Sequence, residues 1–126
     1  EKGVKRAMLL PVSAPFHCAL MAPAADAMAE ALAKAAMRAP AVPVVANVTA
    51  AKATDPAEIR DLLVRQVTGT VRWRECVAAM AAMGCDKFVE VGAGKVLSGL
   101  MKRNAPEATA LSIGNPAELE AFLKSL

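Results

Sequence analysis

Two helix-start signals constrain the fold of this chain more than any other feature of its sequence. Asp55-Pro56-Ala57-Glu58 and Asn115-Pro116-Ala117-Glu118 each combine an N-cap residue, a proline at the first helical position and a glutamate where a capping box requires one. Together with the residues that follow, they predict helices at 56–67 and 116–126. A predicted strand precedes each signal along the chain, at 42–48 and at 108–113, which is typical of proteins that alternate strands with helices.

The rest of the chain continues this alternation. The predicted helices are 21–37, 71–83 and 96–104, the predicted strands are 6–10, 42–48, 87–91 and 108–113, and 49–54 is a predicted loop. From residue 42 onward the order favours an α/β layer with mainly parallel strands. In the first predicted helix, apolar residues recur at spacings of three and four, which predicts a core stripe of Met21, Ala25, Met28, Leu32 and Ala35.

Composition and charge exclude several classes of protein. The 126 residues are 56% hydrophobic and 21% charged, so we expect one packed domain rather than a disordered chain. The formal net charge of +3, without a basic run interleaved with aromatic residues, argues against nucleic-acid binding. No apolar span reaches the ~20 residues of a membrane helix, and no signal peptide is recognisable. Three cysteines without a C-x-x-C pair predict neither disulfides nor a metal site, which is typical of the cytoplasm.

Gly92-Ala93-Gly94 lies between a predicted strand and a predicted helix, where glycine-rich phosphate loops also occur. Its spacing fits neither common phosphate motif. Val89 stands where a P-loop requires glycine, and Leu97 stands where a dinucleotide fingerprint requires its third glycine. We therefore interpret the segment as a tight strand-to-helix turn, with weak anion binding by the helix amides as the alternative.

His17 is the only histidine, and it follows a mostly apolar run closed by Pro11 and Pro15. An imidazole can accept and return a proton near neutral pH, which makes His17 the best candidate for chemistry. From the residues alone, a packed or surface histidine is the more usual outcome. Cys18 is adjacent, but neighbouring side chains of an extended segment point to opposite faces, so we interpret it as a small buried residue.

The histidine segment resembles that of the malonyl-CoA:acyl carrier protein transacylases of bacterial-type fatty acid synthesis. The resemblance is carried by P-V-S-A-P-F-H-C-A-L-M-x-P-A-A-D at 11–26, L-V-R-Q at 63–66, V-R-W at 71–73 and V-E-V-G-A-G-K-V-L-S-G-L at 89–100. It implies the C-terminal part of an α/β-hydrolase-like acyltransferase core, with the last strand of a ferredoxin-like small subdomain at the N-terminus. Residues 1–19 would then end the small subdomain and form the histidine loop, and 20–126 would belong to the large subdomain.

The same resemblance implies roles for individual residues. In this family a serine attacks the malonyl thioester of coenzyme A, and His17 would be the base for that serine. The main-chain carbonyl of Gln66 would orient the imidazole, and Phe16 matches a position that shapes the acyl pocket in related domains. No G-x-S-x-G motif for the nucleophile occurs in this chain, so we expect it to be inactive alone. The implied partners are malonyl-CoA, acyl carrier protein and the N-terminal portion of the same enzyme, without a cofactor.

Two alternatives stay open at the level of sequence. One is a non-catalytic module that binds a carrier protein, or complements another fragment, through a basic rim containing Lys5, Arg6 and Arg103. A solvated surface is the simpler interpretation of these charges. The other alternative is the acyltransferase domain of a polyketide synthase.

Overall fold

The computed structural model describes Gly3, Leu9, Pro11, Val12 and residues 14–126. Apart from Leu9, the predicted strand at 6–10 lies outside the described residues. The same is true of the candidate rim residues Lys5 and Arg6.

Within the described residues, helices and strands alternate along most of the chain. A 3₁₀ turn at Ala19–Met21 is followed by α1 (Ala22–Lys34), β1 (Val44–Ala46), β2 (Ala51–Ala53), α2 (Pro56–Arg65), α3 (Trp73–Ala82), β3 (Lys87–Val91), α4 (Val96–Asn104), β4 (Thr109–Ile113) and α5 (Pro116–Leu123). None of the described helices is both long and apolar enough to cross a membrane.

The two helix-start signals act as the sequence predicts. The side chain of Asp55 accepts a hydrogen bond from Glu58 N at 2.8 Å, and that of Asn115 accepts one from Glu118 N at 3.0 Å. Each bond satisfies a backbone amide that has no partner within its helix. The starts of α2 and α5 are therefore determined by a few neighbouring residues.

The strands form two separate pairs among the described residues. β3 and β4 are parallel, with Val89 opposite Leu111, whereas β1 and β2 are antiparallel, with Val45 opposite Lys52. The expectation of mainly parallel strands is thus right for the second pair and wrong for the first. β2 lies within 49–54, which the sequence predicts as a loop because Ala51-Lys52-Ala53 has weak strand propensity. The segment forms a strand because the tight turn after β1 brings it back beside β1.

The core lies where α2, α3 and α4 meet the strands. α2 and α3 pack on β1, α4 packs on β3 and β4, and α3 touches α4. The buried apolar residues among those described are Ala53, Leu62, Cys76, Val77, Met101 and Ile113.

The first helix, α1, departs from the prediction in length and in burial. It ends at Lys34 because Ala35 is extended, with ψ of 131°, and the Ala35 carbonyl accepts a hydrogen bond from Arg60 Nη2 at 3.3 Å. No residue of α1 is buried, and Met28 is 40% exposed. Of the predicted core stripe, Met21, Ala25 and Leu32 are half-buried and Met28 and Ala35 are exposed. The stripe is therefore only partly covered, and the main contacts of α1 among the described residues are with α2 and the 3₁₀ turn.

Candidate functional site

His17 lies in a short loop before the 3₁₀ turn, and its backbone has a φ of +55°. This left-handed conformation costs a residue with a side chain about 1–2 kcal/mol. Two local hydrogen bonds shape the loop: Phe16 N donates to Ala14 O at 3.0 Å, and Cys18 Sγ donates to Pro15 O at 3.1 Å. A strained backbone persists where surrounding contacts hold it, and the His17 ring makes two such contacts.

The His17 ring is held by two main-chain carbonyls. Nδ1 lies 3.0 Å from Gln66 O and 3.1 Å from Gly69 O. Because carbonyl oxygens only accept hydrogen bonds, Nδ1 carries the proton of the neutral ring and shares it between them. Nε2 then has a free lone pair, and no hydrogen bond joins it to any of the described residues. The exposed ring therefore presents a proton acceptor.

The end of α2 places both carbonyls on the same nitrogen. Gln66 is the C-cap residue, and the last carbonyls of a helix lack partners within it. Gly69 N donates to Arg65 O at 3.1 Å and to Gln66 O at 3.2 Å, which folds the chain back over the helix end. A Cβ atom at position 69 would lie 3.1 Å from Arg65 O, so the close return favours glycine. The family resemblance implied a contact of the ring with the Gln66 carbonyl, and the structure has this contact. The contact with the Gly69 carbonyl was not expected, because Gly69 was interpreted only as the end of a helix.

A second set of contacts holds the loop between α2 and α3. Asn47, in the turn after β1, donates from Nδ2 to Thr70 O at 3.1 Å and accepts at Oδ1 from Arg72 N at 2.7 Å. The Arg72 guanidinium donates to Val48 O at 3.2 Å. These contacts join the β1–β2 turn to the loop that carries the Gly69 carbonyl, and nothing in the sequence pattern indicated them.

The other predicted site residues are dispersed. Phe16 directly precedes His17 in the sequence, and its side chain is 61% exposed. Arg103 is exposed in the last turn of α4. Cys18 is half-buried rather than buried, because its loop lies at the surface. Burial raises the pKa of the Cys76 thiol, which favours its unreactive neutral form.

The turn between β3 and α4 is closed by a carboxylate of the chain itself. Glu90 accepts hydrogen bonds from Leu97 N at 3.1 Å and from Ser98 N at 2.8 Å. These bonds, that from Ser98 above all, lower the pKa of Glu90. Since Glu90 already occupies the amides of Leu97 and Ser98, these two donors are not available to an external anion. The tight turn is observed, with Gly92 and Gly94 at φ of +137° and +97°.

A histidine with one nitrogen held by carbonyls and the other free keeps one nitrogen that can accept a proton. No protein-family model matches the chain. The malonyl CoA-acyl carrier protein transacylase of Salmonella typhimurium is 53% identical to it over 121 residues, which are 96% of this chain and 39% of that protein.

Solved structures agree with this relationship. An acyl-carrier-protein-S-malonyltransferase from Bartonella henselae superposes with a TM-score of 0.86 at 52% identity, over 98% of this chain and 40% of that one. A type II polyketide acyl-carrier protein in complex with its malonyl-transacylase gives 0.85 at 40% identity, over 98% of this chain and 40% of that one. The chain is thus similar to malonyl-CoA:acyl carrier protein transacylases, and it spans about 40% of the length of the curated relatives that it matches.

Proposed function

We propose that this chain is the histidine-bearing part of an enzyme that transfers malonyl groups from coenzyme A to acyl carrier protein in fatty acid biosynthesis. The observation that carries the proposal is the pair of carbonyls on His17 Nδ1, at 3.0 and 3.1 Å, which leaves Nε2 as the base. In a chain 53% identical to a named transacylase, this geometry supports general base catalysis by His17.

The proposed reaction needs a serine from the N-terminal portion of the enzyme, which this chain does not contain. Nε2 removes the serine proton while Oγ attacks the malonyl thioester, and the resulting imidazolium protonates the departing coenzyme A thiolate. In the second half, Nε2 takes the proton of the carrier's phosphopantetheine thiol. The sulfur attacks the malonyl-serine ester, and the serine oxygen leaves with that proton. Gln66 and Gly69 stabilise the imidazolium through Nδ1–H in both halves.

The exposed surface of the chain supports the proposal that a further portion of the enzyme, called the companion portion below, packs against it. Large apolar side chains of the described residues are exposed, among them Val42 at 72%, Val71 at 53% and Val96 at 70%. Exposed apolar surface of this kind marks a site of contact with another part of a protein. We propose that the part of the enzyme corresponding to the unmatched length of the relatives covers it, and that 1–19 and 20–126 belong to the small and large subdomains of the assembled protein.

A cleft between the two strand pairs is the best candidate for part of this contact. Its volume is about 310 Å³, and β1 and β3 border it without pairing with each other in the described chain. Its lining is mostly apolar and includes Val45, Trp73, Phe88 and Met101. The buried Trp73 Nε1 has no hydrogen-bond partner among the described residues. An extended segment of the companion portion would fill the cleft and offer an acceptor to this indole.

Two further roles follow from the same proposal. Phe16, exposed beside His17, would contact the acyl group, and Arg103 would attract the acidic carrier protein. The carrier is one of fatty acid synthesis or, as in the complex of the 40% identical neighbour, one of type II polyketide synthesis.

The three free cysteines suit a reducing compartment, so we propose the cytoplasm as the location of the enzyme.

A hybrid enzyme tests the proposal directly. In the hybrid, this chain replaces the matching 39% of the Salmonella typhimurium relative, and malonyl transfer to a carrier protein is followed by the mass of the carrier. We expect the hybrid to transfer malonyl, whereas this chain alone forms no malonyl adduct with malonyl-CoA. A folded hybrid without transfer, or a stoichiometric adduct on the chain alone, would contradict the proposal. A folded hybrid that binds the carrier without transferring malonyl would favour the non-catalytic module.

A further inference from the structure

Asn47 uses its whole side-chain amide on the loop between α2 and α3. Nδ2 donates to Thr70 O at 3.1 Å, and Oδ1 accepts from Arg72 N at 2.7 Å. The residue is half-buried, and neither bond belongs to a helix or strand. A side chain that satisfies one carbonyl and one amide two residues apart fixes the path of the loop between them.

We infer that Asn47 is a positioning residue for His17 and acts through the Gly69 carbonyl. That carbonyl lies in the peptide plane that joins Gly69 to Thr70. Because peptide units are planar, only the φ and ψ angles of Thr70 lie between this plane and the next one along the chain. The next plane contains Thr70 O, which accepts a hydrogen bond from Asn47 Nδ2. On the other side, Gly69 N is anchored to the end of α2. With both neighbours fixed, the carbonyl is held toward His17 Nδ1, 3.1 Å away.

The chemical consequence lies in the tautomer of the neutral imidazole. Two carbonyl acceptors favour the form with the proton on Nδ1, which leaves Nε2 able to accept a proton. When the Gly69 carbonyl can turn away, only Gln66 O remains, and the form with the proton on Nε2 becomes more populated. That form cannot act as a base at Nε2. The positioning is a property of this chain, whereas its effect on catalysis rests on the proposed function.

A purely structural role for Asn47 is the competing interpretation, because its bonds also attach the β1–β2 turn to the loop. Thr49 offers a matched control in the same turn. Its Oγ1 accepts from Ala51 N at 3.3 Å, a bond that lies within the turn. Thr49→Ala weakens the turn but leaves the contacts to Thr70 and Arg72 in place.

Nitrogen NMR of the imidazole measures the tautomer directly. His17 is the only histidine of the chain, so a ¹⁵N-histidine-labelled sample gives one imidazole, and its nitrogen shifts are recorded at a pH where the ring is neutral. We expect the Nδ1–H form to dominate in the parent chain. Asn47→Ala should raise the ratio of the Nε2–H to the Nδ1–H form roughly fivefold, as expected for the loss of one hydrogen bond. Thr49→Ala should leave the ratio unchanged.

A second variant and a second measurement cover the case in which Asn47→Ala fails to fold, as judged by circular dichroism. Asn47→Asp keeps the shape and the acceptor for Arg72 N but loses the donor to Thr70 O, and it should shift the tautomer in the same direction by a smaller factor. In the hybrid enzyme, either variant should lower kcat and leave KM for malonyl-CoA unchanged. There, the imidazole signal of His17 is identified by its loss in His17→Gln.

The outcomes separate this inference from the proposed function. An unchanged tautomer ratio in a folded Asn47 variant, or an equal shift in Thr49→Ala, overturns the role of Asn47 even when the hybrid transfers malonyl. A shifted ratio together with a hybrid that is inactive despite correct folding supports the positioning role and overturns the proposed function alone.

Discussion

The start of α4 and the end of α2 each bind a polar side chain from a residue at least seven positions away, and the two side chains differ in which of their polar atoms stay free. At the start of α4, the Glu90 carboxylate accepts from two amides seven and eight residues away. At the end of α2, His17 donates to two carbonyls 49 and 52 residues away. Both arrangements satisfy backbone groups that helix ends leave without partners. Both oxygens of Glu90 are used, whereas His17 uses one ring nitrogen and keeps the other available, so only the second arrangement is suited to chemistry.

The largest effect is expected from removing the free nitrogen. In the hybrid enzyme, His17→Ala should lower the rate of malonyl transfer by a factor of about 10² to 10⁴, the usual contribution of a general base. Folding should be retained, because the side chain is exposed and the left-handed backbone remains accessible to other residues at moderate cost. The rate is measured with carrier protein in excess, and circular dichroism checks the fold.

Glu90, at the start of α4, supplies the control for this variant. Glu90→Gln changes the other helix end and should leave the rate of transfer within about twofold at neutral pH in folded hybrid, since Glu90 does not face the reacting atoms in the proposed mechanism. Near-normal transfer by His17→Ala, or an equally large loss in Glu90→Gln, would contradict the division between a reactive and a structural helix end.

The second effect concerns stability and its dependence on pH. Two backbone amides lower the pKa of Glu90, so its contribution to folding is present above the ordinary pKa of a glutamate. That contribution is lost as the pH falls through the lowered pKa of the folded state. Glu90→Gln should be less stable than the parent at neutral pH, and the difference should shrink on acidification. Urea unfolding of the chain at a series of pH values measures both.

Glu107→Gln is the matched control for this titration, since Glu107 is exposed and its carboxylate makes no hydrogen bond among the described residues. We expect its stability to follow that of the parent at every pH. If the two variants behave alike, the bonds from Leu97 and Ser98 do not stabilise the fold, and the start of α4 is not closed by Glu90 in solution.

The same two regions show how far sequence reasoning reaches. The bounds of β3 and α4 agree with the predicted 87–91 and 96–104, because strand residues, glycines and a helix start lie within a few residues of one another. The sequence predicts the end of α1 three residues too late, since the helix ends at Lys34 and the next residue, Ala35, is extended. β2 was missed because the β1–β2 turn, rather than its own propensity, brings it to a partner.

Some residues of the candidate site could likewise be predicted from the sequence, and others could not. His17 stood out as the only residue of its type, and the resemblance named the Gln66 carbonyl that lies 3.0 Å from its ring. The Gly69 carbonyl and the Asn47 amide were not predictable, because backbone carbonyls have no sequence signature and the contacts of Asn47 span 23 and 25 residues. The catalytic role of His17 and the acyl contact of Phe16 stay predictions.

The smallest effect is expected at the C-terminal end of α4. Met101 is only 2% exposed and anchors this end, while Lys102 and Arg103 project from the last turn. If Arg103 attracts an acidic carrier, Arg103→Gln in the hybrid should raise KM for the carrier about two- to threefold at low ionic strength and leave kcat unchanged. The difference should vanish in high salt, which screens exposed charges. Arg38→Gln removes an equal exposed charge after α1, so an equal rise in KM there would assign the effect to net charge rather than to a surface on α4.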